Sequence, residues 1–292
     1  MAKPKTQQEW ADYYGWALTL LKSDKSLWNL FQKAIKGAWK ADKFVAELKK
    51  TSWYKKYGET ARRALALKHT DPETWRQRVR SIYQEIMSLA GQMGVKANWQ
   101  VYWDMAEDAF TFGWTNAQIR RNLASYLKSK NGTYGGEAEQ ARVQLEQYAY
   151  SMGITLDRNT LHGWIKGILN GSRTVEDYKG HIQKLAISAY PGLADQIKGG
   201  MTVRDIADPY VQSMARILEI NPTDIKLDDP TIKSALSRVQ TDSSGKSTSS
   251  TMALWEFENQ LRQDPRWLNT NNARQGLNSV AHGVLKDFGL VT

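Results

Sequence analysis

TDPETWRQRVRSIYQEIM, residues 70–87, is the stretch on which the fold turns. Asp71 can cap a helix start by accepting from an orphan amide, and Pro72 fills the first helical position, where its missing N–H is not needed. The device returns in DDPTIKSAL with Asp229 and Pro230. TVED at Thr174 and TVRD at Thr202 set a capping hydroxyl three residues ahead of an acid, a relative of the capping box. Gly and Asn supply the stops, at MGV with Gly94, NGTYGG from Asn131, MGI with Gly153, NGS from Asn170 and KGG ending at Gly200. Strand signals are nearly missing, since no hairpin dipeptide sits between alternating runs. The expected fold class is therefore all-α, a multi-helix array of short amphipathic helices.

Two interruptions organise the array. Pro209 in VRDIADPYVQSMARIL lacks the amide and adds a ring clash, which predicts a kinked or split helix near Ala207. QTDSSGKSTSST, residues 240–251, has no apolar residue and reads as a flexible polar linker. The expected organisation is a basic, aromatic-rich N-terminal helical module (1–95), a central helical region (96–239), the linker (240–251) and a C-terminal helical module (252–292).

A phrase recurs near both ends. FVAELKKTSW begins at Phe44 and FENQLRQDPRW at Phe257. Each has an aromatic residue, a leucine four places on, then a basic residue and a tryptophan: Phe44, Leu48, Lys49, Trp53 and Phe257, Leu261, Arg262, Trp267. Looser copies surround Ile119 and Leu123 in GWTNAQIRRNLASYL and Tyr178 and Ile182 in RTVEDYKGHIQKLAISAY. The i, i+4 spacing defines one face of a short helix, shared by a degenerate helical repeat and by ordinary amphipathic packing.

Composition narrows the chemistry. The 292 residues are enough to bury a real core, and the absence of Cys excludes disulfides and thiolate metal sites. No segment approaches the roughly eighteen apolar residues of a membrane span, and MAKPKTQQEWADYYGW does not read as a secretory signal, so a soluble, unsecreted protein is expected. Twelve Trp and thirteen Tyr against six Phe favour rings with one wet or partnered edge. The net charge is +10, and residues 33–68 hold eleven Lys or Arg against Asp42, Glu47 and Glu59. That excess, interleaved with Trp39, Phe44, Trp53, Tyr54 and Tyr57, attracts polyanions; Lys49, Lys50, Lys55, Lys56, Arg62 and Arg63 are the candidate polyanion-binding residues, for nucleic acid, cell-wall polymer or an acidic protein surface.

Catalytic signatures are sparse. His69, His162, His181 and His282 do not have the spacing of a zinc-binding helix. Asp104, Glu107 and Asp108 share a helical face, and Asp224, Asp228 and Asp229 form a second acidic group, both of which read as solvated or capping groups. GGEAEQAR lacks the lysine and serine of a phosphate-binding loop. Glu59, Glu85 and Glu107 are the candidates if a glutamate in an apolar pocket were to cleave a glycan. No cofactor and no catalytic residue is expected.

GMTVRDIADPYVQSMARILEINPTDIKLDDPTIKSAL, together with MALWEFENQLRQDPRWLNTNNARQGLNSVAHGVLKDFGL, resembles the C-terminal parts of tail-associated or genome-delivery structural proteins of tailed bacteriophages, particularly of actinobacterial hosts. LWNLFQKAIKGAWKADKFVAELKKTSWYKKYGETARRA resembles the N-terminal module that accompanies them. The resemblance covers under half the chain and implies a non-enzymatic virion protein, made in the host cytoplasm and assembled in multiple copies with other virion proteins. On that reading Phe44, Leu48, Trp53, Phe257, Leu261 and Trp267 are protein-interaction residues, with buried rings and Lys or Arg at the rim. A basic nucleic-acid-binding protein and a peptidoglycan-cleaving virion enzyme are the alternatives.

Overall fold

The computed structural model describes residues 4, 6–241 and 247–287. Among them, seventeen α-helices dominate, with three short 3-10 helices and one two-stranded hairpin. The all-α expectation therefore holds. The chain divides into two compact units, residues 1–140 with 165–172, and residues 141–164 with 173–292.

The first unit opens with α1 (Gln7–Tyr14), α2 (Leu18–Ser23), α3 (Lys25–Lys36), α4 (Ala41–Leu48), α5 (Ser52–Lys56) and α6 (Glu59–Thr70). None exceeds twelve residues, and such short helices hold their shape through tertiary packing rather than intrinsic propensity. Large rings supply that packing. Tyr14 stacks on Phe44 with ring centroids 4.2 Å apart, and its hydroxyl donates to the Trp39 carbonyl at 2.9 Å. Trp10, Leu21, Leu27, Phe31, Leu48 and Trp53 complete the same buried cluster.

The unit continues through α7 (Pro72–Met93), α8 (Trp99–Phe112) and α9 (Asn116–Ala124). Asp71 caps α7 by accepting from the Thr74 amide at 3.1 Å, with Pro72 first in the helix, as the sequence predicts. Gly94 ends it at φ +77°, and a Cβ there would stand 1.9 Å from the Gly135 carbonyl oxygen. Glycine is thus required twice over, by backbone sign and by the close approach of the later loop.

The chain then passes through α10 (Gly136–Ser151) and α11 (Arg158–Leu169) to α12 (Val175–Ala189), α13 (Ala194–Lys198), α14 (Val203–Leu218), α15 (Pro230–Leu236), α16 (Leu254–Gln263) and α17 (Asn271–Asp287). Thr174 and Thr202 form complete capping boxes with Asp177 and Asp205. In the second unit α14 is the core helix, with Val203, Ile206, Ala207, Tyr210, Met214 and Leu218 among its buried residues. Buried Ser213 finds its partner in Glu258 at 2.9 Å, which also pairs with Arg216, so the polar group costs little.

Two expectations differ from the structure. Of the kink or split expected at Pro209, the split does not occur: α14 runs as one helix through it, with Ile206, Ala207, Tyr210 and Val211 buried on either side while Pro209 itself stays exposed. Secondly, the segment expected as a flexible linker is paired at both described ends. Strand β1 (Arg238–Thr241) runs antiparallel to β2 (Ser247–Ser250), with Arg238 opposite Ser250 and Thr241 opposite Ser247. Residues 242–246 lie outside the described residues. Composition points to a linker because no apolar side chain is present, yet a ladder satisfies backbone groups without one. Arg238 anchors its base through Glu256 at 2.5 Å.

Candidate functional site

The residues of the repeated phrase point inward. Phe44, Leu48 and Trp53 are buried; the Trp53 ring meets Trp16 edge-on at 5.7 Å and its amide donates to Ser26 Oγ at 3.2 Å. Phe257 and Leu261 are fully buried, Phe257 against Tyr210 at 5.3 Å. Trp267 is half-buried. Hence Phe44, Leu48, Trp53, Phe257 and Leu261 are core residues of their units and cannot present contact area to another protein from this fold. The correction has a plain cause: helices of five to twelve residues need large rings to fill the space between them.

The likeness of the two phrases survives as local grammar. In each, a helix carrying the aromatic and the leucine ends, a capping residue follows, and the tryptophan sits on the next short helix. Thr51 caps α5 by accepting from the Tyr54 amide, and Asp264 caps the 3-10 helix Pro265–Asn269 by accepting from the Arg266 amide at 2.9 Å. Ile119 and Leu123 are likewise buried, as is Ile182, while Tyr178 is half-buried.

The basic residues separate into two groups. Arg62 is structural: its guanidinium lies 3.8 Å from the centre of the Tyr54 ring and donates to the Tyr54 and Tyr57 carbonyls, closing the end of α5. Lys50 pairs with Glu47 at 2.6 Å and Arg63 with Glu59 at 2.5 Å, both at exposed positions where such pairs contribute little. Lys49, Lys55 and Lys56 are exposed with no ion-pair partner among the described residues, and Lys56 lies 5.0 Å from the Tyr57 ring centre.

The acidic candidates have structural work. Glu107 accepts from Trp103 Nε1 at 2.9 Å and Lys68 Nζ at 3.1 Å. Burial, with the Asp104 and Glu107 charges, pushes the Asp108 carboxyl above its ordinary range, although the residue remains exposed. Glu59 is exposed and paired, and Glu85 is exposed. Asp229 caps α15 through the Thr231 amide at 2.8 Å. Among the described residues no group of three or more His, Asp or Glu is arranged to hold a metal ion.

Residues outside the repeated phrase carry the exposed apolar surface. Leu254, Trp255 and Leu268 are exposed, Trp255 at 68%. On α17, Leu277 is 61% and Val280 66% exposed, with Leu285 beyond them. Ala273, one turn before Leu277, is fully buried on the same face, so α17 docks by its first turn and carries its apolar face onward uncovered. The docking is electrostatic as well: Glu219, at the C-terminus of α14 with φ +53°, accepts from the Asn271 and Asn272 amides at 2.8 and 2.9 Å and caps α17 from a distance. Leu277, Val280 and Val284 stand three and four apart in sequence, a signal legible in GLNSVAHGVL. Only Arg274, Lys286 and Asp287 carry formal charge along the whole helix.

Comparison with protein-family models, with curated proteins and with solved structures finds no match to this chain. No described helix is long and apolar enough to cross a membrane.

Proposed function

We propose that this chain is a non-enzymatic structural protein of a tailed bacteriophage particle, part of the tail or genome-ejection apparatus, acting through helical contacts with other virion proteins. The observation that carries this reading is the uncovered apolar face of α17, with Leu277 and Val280 both more than half exposed on a helix that carries almost no charge. An apolar row of this kind loses free energy in water and gains it against a second apolar surface, about 25 cal/mol for each Å² removed from solvent. Positions 277, 280 and 284 follow the three–four alternation of a helix–helix seam, so the occupant is a helix of a neighbouring virion protein with its own apolar row. The sequence resemblance to tail-associated and genome-delivery proteins supplies the setting. Phe44, Leu48 and Trp53 serve as core of the first unit, and Phe257 and Leu261 as core of the second.

Mass spectrometry of purified particles, before and after DNA ejection, tests the assignment. The chain should be present in intact particles at a stoichiometric level. Its absence from particles, in a lysate where it is abundant, would refute the reading.

A further inference from the structure

We infer that a cleft along α12 binds single-stranded nucleic acid, with a base stacked on the Trp164–Tyr178 ring pair and phosphates met by Arg173 and Lys184. Trp164 on α11 and Tyr178 on α12 stack with centroids 4.8 Å apart and planes 15° from parallel. His181, one turn along α12, meets Trp164 edge-on at 5.4 Å. These three rings line an open cleft of about 540 Å³ together with Arg173, Glu176 and Lys184, within the roughly 300–1,000 Å³ typical of ligand sites. Trp164 and Tyr178 are half-exposed and His181 is exposed. In a stacked pair each ring shields one face of the other, so the pair is a platform that a further flat group can extend.

Charge selects which flat group. The acids of the cleft are already engaged: Glu176 holds Lys179 at 2.7 Å, and Asp177 accepts from the Thr174 amide at 2.8 Å and its hydroxyl at 2.9 Å. Arg173 and Lys184 are exposed and make no close ion pair among the described residues; the charge of Arg173 is felt at Asp177 and at the Tyr178 hydroxyl, which places it beside the platform. A ligand with a π-face and negative charge uses both cations. The cations are spread along the helix: Arg173 precedes its start, and Lys184 lies nine residues beyond Val175, about 14 Å along the axis at 1.5 Å per residue. That span exceeds one phosphate and suits successive phosphates of a strand. Nor is this a helix-terminus anion site, since the start of α12 is closed by its own capping box and the platform lies along its side.

The test uses the full chain and fluorescein-labelled dT15, followed by anisotropy across a salt series. Arg173→Glu with Lys184→Glu, both at exposed positions, should weaken binding at least tenfold and flatten the salt dependence, by about 0.7 in log–log slope for each phosphate no longer neutralised. Tyr178→Leu should weaken dT15 binding while leaving inorganic polyphosphate binding unchanged, because only the base uses the ring. Lys49→Glu with Lys55→Glu, in the other unit, should leave the cleft's contribution intact. Unchanged dT15 affinity in the Arg173/Lys184 variant would overturn the inference even if Tyr178→Leu failed to fold. So would polyphosphate binding as tight as dT15, which would reduce the site to bare charge, or competition by dTMP equal to that by unlabelled dT15, which would make the ligand a free nucleotide.

Discussion

Glu219 shows how one side chain can set the course of a helix. It is one of the few non-glycine residues at positive φ, and its carboxylate is spent on the first two amides of α17. Those two backbone donors, Asn271 first, hold its carboxyl below the ordinary glutamate range. A depressed folded-state pKa means that the contribution to stability is complete above the unfolded value of about 4.3 and is lost as pH falls through the folded value. Glu219→Gln should therefore melt below the parent at pH 7, and the gap should narrow as a thermal scan is repeated at pH values falling below about 4.3; a gap of constant size across that series would show that charge is not what the contact uses. Tryptophans offer a second residue-scale contrast. Trp53→Ala should cost about 3–5 kcal/mol in urea denaturation, as deletion of a buried ring does, whereas Trp255→Ala should stay within about 0.5 kcal/mol, since the two rings are 3% and 68% exposed. Sequence order alone does not distinguish them, because the burial of Trp53 depends on Trp16, thirty-seven positions earlier.

At the scale of elements, local capping chemistry is the legible part. Asp71, Thr174, Thr202 and Asp229 all cap where their spacing places them, because a cap needs only residues within one turn. Elements that depend on distant partners are not legible. Pro209 sits inside α14 because the flanking turns are pinned by burial on a core that the local sequence does not describe. That tolerance has a cost, and Pro209→Ala should raise stability by about 2 kcal/mol, the loss of a helix-interior proline penalty offset in part by a more flexible unfolded chain. An unchanged urea midpoint would mean that the helix had already relaxed around the ring. The β1–β2 pair is hidden for the opposite reason, as its stabilising contacts are backbone bonds that leave no hydrophobic pattern in Arg238–Thr241 or Ser247–Ser250.

For the molecule as a whole, the aromatic wealth divides by location. Much of it fills the cores of units built from short helices, and the remainder is exposed, at Trp99, Phe112, Tyr150 and Trp255, or half-exposed, as in the Trp164–Tyr178 pair. The repeated phrase marks core faces of both units. Phe257 and Leu261 bury, and the nearby Leu277 and Val280 do not. A period of three and four residues says which side chains share a face; it does not say whether that face meets its own chain or another. The most direct measurement follows from this. With Leu277→Glu and Val280→Glu combined in a chain supplied in trans during phage growth, the purified protein should keep its parental melting temperature, since both positions are exposed, while its incorporation into particles should be lost. Full incorporation of the doubly charged variant at normal copy number would contradict the account.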